Sequence, residues 1–143
     1  MPPSGQDLYT LEWVRYAIRD LRSARCLAEC STDLNLAGNV YWMAQQAAEK
    51  AIKSLLFHHA IDFNWTHNLE ALRLKLPETS PMRHANLDLQ ALTKQGMEWR
   101  YPDDLPDEPS PEEAVEALTV ATTVVELMSS ELRDLLSEAG LGL

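Results

Sequence analysis

The fold is decided by the stretch from Tyr41 to Leu56, which reads YWMAQQAAEKAIKSLL. Alanine is the strongest helix former, and Gln, Glu, Lys, Met and Leu follow closely. Apolar residues recur three or four positions apart, the spacing of one helix face: Tyr41, Ala44, Ala48, Ala51, Ile52 and Leu55. Because this face is small in volume, we expect neighbouring backbones to approach closely and the helix to be central in a tight bundle. The opposite side is polar: Gln45, Gln46, Glu49, Lys50 and Lys53.

Helical periodicity extends outward from this stretch over most of the chain. We predict helices over residues 7–30, 36–60, 67–76, 82–95 and 111–139, and no segment alternates as a half-buried strand does. The fold class is therefore all-α, an up-and-down bundle of three long and two short helices. We expect residues 1–6 to be a disordered N-terminus, residues 7–139 to be a single domain, and residues 140–143 to be a short tail.

Several helix boundaries carry recognisable signals. Ser110-Pro111 with Glu113 is a capping box with proline at the first helical position, so it predicts the start of the last helix. Thr66 is a candidate N-cap for the third helix, and Gly140 suits the position after the last one. Residues 100–109 contain three prolines and predict an extended acidic loop.

The net charge of −10 lies entirely in the last third of the chain. Residues 1–100 hold 11 basic and 11 acidic side chains, whereas residues 101–143 hold 11 acidic side chains and one Arg133. Such a surface does not favour general binding to nucleic acid, which depends on neutralising phosphates. It fits a soluble protein or one that docks a basic partner.

Targeting, redox and metal signals are few. No apolar run is long enough for a transmembrane helix, and the N-terminus lacks a signal-peptide pattern, so we expect a cytoplasmic protein with no membrane association. Cys26 and Cys30 lie four residues apart on one predicted helix, where a mutual disulfide is awkward, and we expect two buried or half-buried free thiols. We predict no metal site and no cofactor.

The candidate site residues have both structural and functional interpretations. Gln45, Glu49 and Lys53 follow one another by single helical turns. One interpretation is a surface that binds a ligand or forms an interface. The other is an exposed stripe whose side chains stabilise the helix by ordinary pairing four residues apart. His67 is either a general base or a capping or packing histidine. Arg100 with Tyr101 marks either a pocket or dimer seam or a salt bridge to nearby acids.

A stripe of arginines on the first helix is a further candidate. Arg15, Arg19 and Arg22 lie at one edge of the apolar arc of that helix. They are either a solvated flank paired with neighbouring acids, including those of the last helix, or a contact for phosphate or a partner protein.

The order of these motifs resembles the HEPN domain (higher eukaryotes and prokaryotes nucleotide-binding). The motifs are Trp13 with Ala17 and Asp20-Leu21, then AQQAAEKA at residues 44–51, His67-Asn68-Leu69, Arg100-Tyr101-Pro102 and a Glu-rich start to the last helix. The resemblance implies a helical bundle that forms a homodimer. Small prokaryotic members look like partners of minimal nucleotidyltransferases, often in two-gene toxin–antitoxin systems. Many members are metal-independent RNases that carry an Arg followed four to six residues later by a His.

This chain departs from the RNase pattern, because no His follows Arg100 and no other arginine has a His at that spacing. We therefore predict a non-catalytic, homodimeric HEPN-like binding module. The alternative is a metal-independent RNase or nucleotide-processing enzyme using Arg100, His67 and Glu49. A weaker third option is a nucleotide-binding sensor, which thermal-shift screening with nucleotides would test.

Overall fold

The computed structural model describes residues 3–30, 36–64, 66–90, 92 and 109–141. Six helices are defined within these ranges: α1 (Gly5–Glu29), α2 (Ala37–His58), α3 (Leu69–Arg73), α4 (Pro81–His84), α5 (Pro111–Glu131) and α6 (Arg133–Glu138). The described residues contain no strand, so the all-α prediction is confirmed. Each of these helices also lacks the combination of length and apolar character needed to cross a membrane.

The three long helices pack around α2. Helix α1 runs antiparallel to α2, because Gln6 at its start donates to the carbonyl of Phe57 near the end of α2. Helices α2 and α5 run in the same direction, since His59 just past the end of α2 meets Glu131 at the end of α5. The segment between them, which includes α3 and α4, therefore returns the chain to the starting end.

The core follows the small apolar face predicted for α2. The alanines at positions 44, 47, 48 and 51 have no exposed surface, and neither do Ile52, Leu55 and Leu56. They meet alanine and aliphatic side chains of α1 and α5: Val14, Ala17, Leu21, Ala117, Ala121, Val124 and Met128. Because alanines line the centre, the long helices pack closely around α2, as predicted.

The long helices begin near the predicted positions, and α1 and α2 also end near theirs. The predicted helix over residues 111–139 is instead divided at Leu132 into α5 and α6. Ser110 and Glu113 form the predicted capping box of α5, at 3.1 Å in both directions. A second capping box, between Ser4 and Asp7, starts α1 two residues earlier than predicted, so Gly5 and Gln6 belong to the bundle. Gly140 follows α6 with a φ of 72°, the left-handed conformation expected of a glycine in that place.

The short helices differ from the prediction. Helix α3 is capped by Asn68 instead of Thr66, and α4 ends at His84 although the pattern predicted a helix to residue 95. The Arg73 guanidinium donates to the carbonyl of Ala85. In a longer α4 that carbonyl would accept from a later residue of the same helix. Residues 85–88 are accordingly not helical, and helical conformation resumes at residue 89.

Both cysteines are exposed, so the prediction of buried or half-buried thiols is wrong. Ala24 is the last buried residue of α1, and the end of that helix projects beyond the part that α2 and α5 cover. Cys26 and Cys30 therefore face outward, although the sequence around them keeps a helical pattern.

Candidate functional site

The polar side of α2 lies inside the bundle. Gln45, Glu49 and Lys53 have exposed fractions of 0%, 4% and 2%. The interpretation as an exposed stripe is therefore wrong for these three residues, whereas their part in binding a ligand or a partner stays a prediction. Helix α2 is central, with α1, α5 and α3 around it, so its polar side is covered as well as its apolar one.

These three side chains satisfy one another through a chain of hydrogen bonds. The Gln45 amide donates to Oε1 of Glu49 at 3.1 Å, and the Lys53 ammonium donates to Oε2 of the same carboxylate at 3.2 Å. Gln46, nearer the surface, donates to Oε1 of Gln45 at 2.7 Å. A buried charge is tolerated when it is paired and hydrogen-bonded, and Glu49 is the centre of that arrangement.

His67 joins this network from the loop before α3. Its Nδ1 lies 2.7 Å from Oε1 of Glu49, while its side chain is half exposed. A carboxylate on one ring nitrogen fixes the orientation of an imidazole and leaves the other nitrogen available. His67 is therefore a hydrogen-bond partner of Glu49. The N-cap of α3 is the side chain of Asn68, which accepts from the backbone N–H of Ala71.

A second ion pair joins α1 to α2 beside this network. Asp20, which is buried, accepts from the Lys50 ammonium, and the Arg19 guanidinium approaches the same carboxylate at 3.4 Å. Arg19 also lies 4.3 Å from the centre of the Tyr16 ring. The sequence contained both partners within the family-like motifs, but only the antiparallel packing of the two helices brings them together.

An aromatic groove lies on the other side of Lys53. We use this name for the 310 Å³ cavity lined by Gln6, Tyr9, Trp13, Phe57, Ala60, Ile61, Asp62 and Phe63. Trp13 stacks on Phe57 at 5.4 Å, and the Lys53 ammonium lies 5.6 Å from the Trp13 ring centre. Tyr9 is 54% exposed at the rim. The sequence pattern does not indicate this groove, because Phe63 lies in a loop with no periodicity.

The aromatic groove continues into an exposed aromatic edge along α1. Tyr9, Trp13 and Tyr16 are spaced by four and three residues, so they share one side of the helix. Tyr16 is 41% exposed, and Trp13 is half-buried. Exposed aromatic side chains of this kind are typical of surfaces that bind other molecules.

Arg100 and Tyr101, the remaining candidates, lie outside the described residues. Elsewhere, a small cavity of the described residues is lined by Tyr41 of α2 with Glu113 and Glu116 of α5. Burial and these two carboxylates raise the pKa of Tyr41 to about 12, so its hydroxyl stays protonated at neutral pH.

A third polar cluster holds the far end of the bundle. Glu131 of α5 accepts from the Ser80 hydroxyl at 2.6 Å and lies 2.7 Å from Nε2 of His59. The neighbouring His58 ring centre is 5.1 Å from that of His59. Burial and the nearby His59 lower the pKa of His58, so it is neutral near pH 7. Because one carboxylate bridges serine and histidine, the cluster ties three segments together.

An arginine cleft lies between α1 and the end of α5. We define it as the 730 Å³ cavity that carries three arginines and one carboxylate over an aliphatic floor. Its lining consists of Arg22, Arg25, Arg133 and Glu126, the floor residues Ile18, Leu21, Val125, Leu136 and Leu141, and Ser129, Ser130 and Ser137. Arg15 and Arg19 of the predicted stripe pair with Glu12 and Asp20 instead. Arg25 contacts the Thr122 hydroxyl at 3.4 Å. Pairing of the stripe with acids of the last helix is absent among the described residues.

The fold and site together define an all-α bundle built around a buried Gln–Glu–Lys line on its central helix. The model of the HEPN domain family matches residues 10–132, so this chain belongs to the HEPN domain family. It is similar to the crystal structure of TT1696 from Thermus thermophilus, with 28% identity and a TM-score of 0.71, covering 86% of this chain and 98% of that one. No curated protein is significantly similar to it in sequence.

Proposed function

We propose that the protein is a non-catalytic, homodimeric HEPN module that acts in the cytoplasm. Its partner is a minimal nucleotidyltransferase in a two-gene, toxin–antitoxin-like system. One observation carries this proposal: Glu49 and Lys50 of the family-like segment are already paired, with Lys53 and Asp20 respectively, while aromatic side chains remain exposed beside them. Glu49 and Lys53 are both at least 95% buried and paired.

The aromatic groove and the adjoining Tyr16 form the surface that we assign to the partner. Tyr9 and Tyr16 combine a large apolar area with a hydroxyl group, which suits binding sites that are only partly shielded from water. The Lys50 and Arg19 cations, close to the Tyr16 ring, add a positive border. A partner segment that carries apolar and acidic side chains would match both features.

Binding to the partner will depend on the two exposed tyrosines. We expect Tyr9→Ser/Tyr16→Ser to weaken the complex by roughly tenfold or more, because aromatic residues dominate the energy of such surfaces. The measurement is isothermal titration calorimetry with a minimal nucleotidyltransferase from the same genome. Leu74→Ser, at a residue 53% exposed beyond α3, is the matched control and will bind as the wild type does.

Two outcomes would count against this proposal in different ways. If the wild-type protein shows no binding, the nucleotidyltransferase is not the partner. If the wild type and the double tyrosine variant bind equally, the partner uses another surface.

A second candidate function, a metal-independent RNase or nucleotide-processing enzyme, is favoured by the pair of Glu49 and His67. With Nδ1 held by the carboxylate, the half-exposed ring can present Nε2 as a general base. Under this candidate, His67→Ala will lower RNA cleavage in EDTA by about 100-fold or more. His84→Ala, at another exposed histidine, will leave it unchanged. Intact RNA with the wild-type protein would exclude this candidate.

A further inference from the structure

One side of α5 carries polar side chains that are exposed along most of its length. Its residues follow one another by four and three positions, the spacing that keeps side chains in line on a helix. We call this row the outer stripe: Glu112, Glu116, Thr119, Thr123, Glu126 and Ser130, continued by Arg133 at the start of α6. All of these residues are exposed except Thr123, which is half-buried.

The outer stripe has opposite charges at its two ends. Glu112 and Glu116 stand at the start of α5, whereas Arg133 stands at the other end beside Arg22 and Arg25 in the arginine cleft. Among the described residues, no carboxylate forms an ion pair with these three arginines. Most other described cations are paired: Lys50, Lys53, Arg73 and Arg83 all have acidic partners.

The outer stripe also has an apolar projection and an apolar hollow. Val115, next to the acidic end, is 57% exposed, which is the largest exposure among the large hydrophobic side chains of the described residues. At the basic end, the floor of the arginine cleft is formed by Leu21, Val125 and Leu136 and by two further aliphatic residues, Ile18 and Leu141.

We propose that a second copy of this chain docks along the outer stripe, with its α5 antiparallel and related by a two-fold axis near Thr123. This assigns an interface to the homodimer of the proposed function and rests on that proposal. In this register Glu112 faces Arg133 of the second copy, and Thr119 faces Glu126. Val115 enters the arginine cleft of the second copy, and each contact occurs twice, as two-fold symmetry requires.

Charge and size select this arrangement over the alternatives. A parallel arrangement would place Glu112 against Glu112 and Arg133 against Arg133, which is repulsive. The middle of the outer stripe carries Thr119 and Thr123, whose small side chains let two helices approach, and the exposed Glu126, which faces Thr119 of the second copy. A nucleic acid is a poorer occupant, because the cleft interleaves its arginines with aliphatic residues and the chain carries a net charge of −10.

Charge reversal tests this interface directly. Sedimentation equilibrium will give a dimer dissociation constant that rises with salt for the wild type. Arg133→Glu and Glu112→Arg will each raise it roughly tenfold or more, since each reversal acts twice across the two-fold axis. The double variant Glu112→Arg/Arg133→Glu restores the opposite charges and will return the constant to within about threefold of wild type. Circular dichroism will check that all variants keep their helix content.

Lys75→Glu makes the same change of charge at an exposed residue outside the outer stripe, and it will leave the dissociation constant unchanged. If the wild type is a dimer but Arg133→Glu dimerises equally well, or if the double variant is as weak as the single ones, this interface is wrong and the homodimer stands. If the wild type is a monomer, the homodimer and its interface both fail.

Discussion

Glu49→Ala will lower the free energy of unfolding by about 3–5 kcal/mol, the usual cost of removing one partner of a buried ion pair. The substitution leaves the Lys53 ammonium, which is 2% exposed, without its carboxylate. It also removes the acceptor of the Gln45 amide, which is fully buried, and the partner of His67. Chemical denaturation monitored by circular dichroism will measure the change.

Glu12→Ala is the matched control for this prediction. It makes the same substitution in an ion pair with Arg15, but both side chains are about half exposed or more. An exposed pair of this kind contributes about 0–1 kcal/mol, so the control will unfold almost as the wild type does. Similar effects for the two variants would contradict a structural role for the buried network.

The double variant Glu49→Leu/Lys53→Met separates the ion pair from the rest of the network. Replacing both charges with apolar groups of similar size is often neutral or stabilising. The Gln45 amide would still lose its acceptor, which costs about 1–3 kcal/mol. We therefore expect the double variant to be more stable than Glu49→Ala, and an equal or larger loss would show that the charges themselves are needed.

Ala48→Leu will lower the free energy of unfolding by about 1–3 kcal/mol, because the added atoms have no space in a well-packed core. Ala48 is fully buried at the middle of the central helix, among alanines that allow close packing. The extra volume must push a neighbouring helix away or force side chains out of their preferred rotamers. Thermal and denaturant unfolding, measured side by side, will detect this loss.

Ala28→Leu makes the same substitution at an exposed position of α1 and controls for helix propensity. Alanine and leucine are both strong helix formers, so the control will change stability by less than about 0.5 kcal/mol. If Ala48→Leu is equally neutral, the helices do not pack as closely around α2 as described.

The helices and the core were predictable because their signals are local. The alanine spacing of residues 41–56 identified the central helix. The capping box of Ser110 and Glu113, with Pro111 at the first helical position, identified the start of α5. The family resemblance was confirmed because its motifs keep their order over most of the length. These features depend on residues that lie within a few turns of one another.

The errors arise where distant segments meet. The sequence of α2 is amphipathic, and nothing in it shows that other segments cover the polar side, so Gln45 and Glu49 were expected at the surface. The early end of α4 depends on Arg73, which is twelve residues from the carbonyl that it contacts. The approach of His67 to Glu49 likewise depends on how the loop before α3 folds back onto α2.

Sedimentation velocity of the purified wild-type protein at micromolar concentration is the sharpest test of the proposal that this HEPN chain works as a homodimeric binding module. We predict a single species of twice the monomer mass, with a monomer fraction that grows on dilution and in high salt. A protein that stays monomeric across the micromolar range would contradict the proposed homodimer.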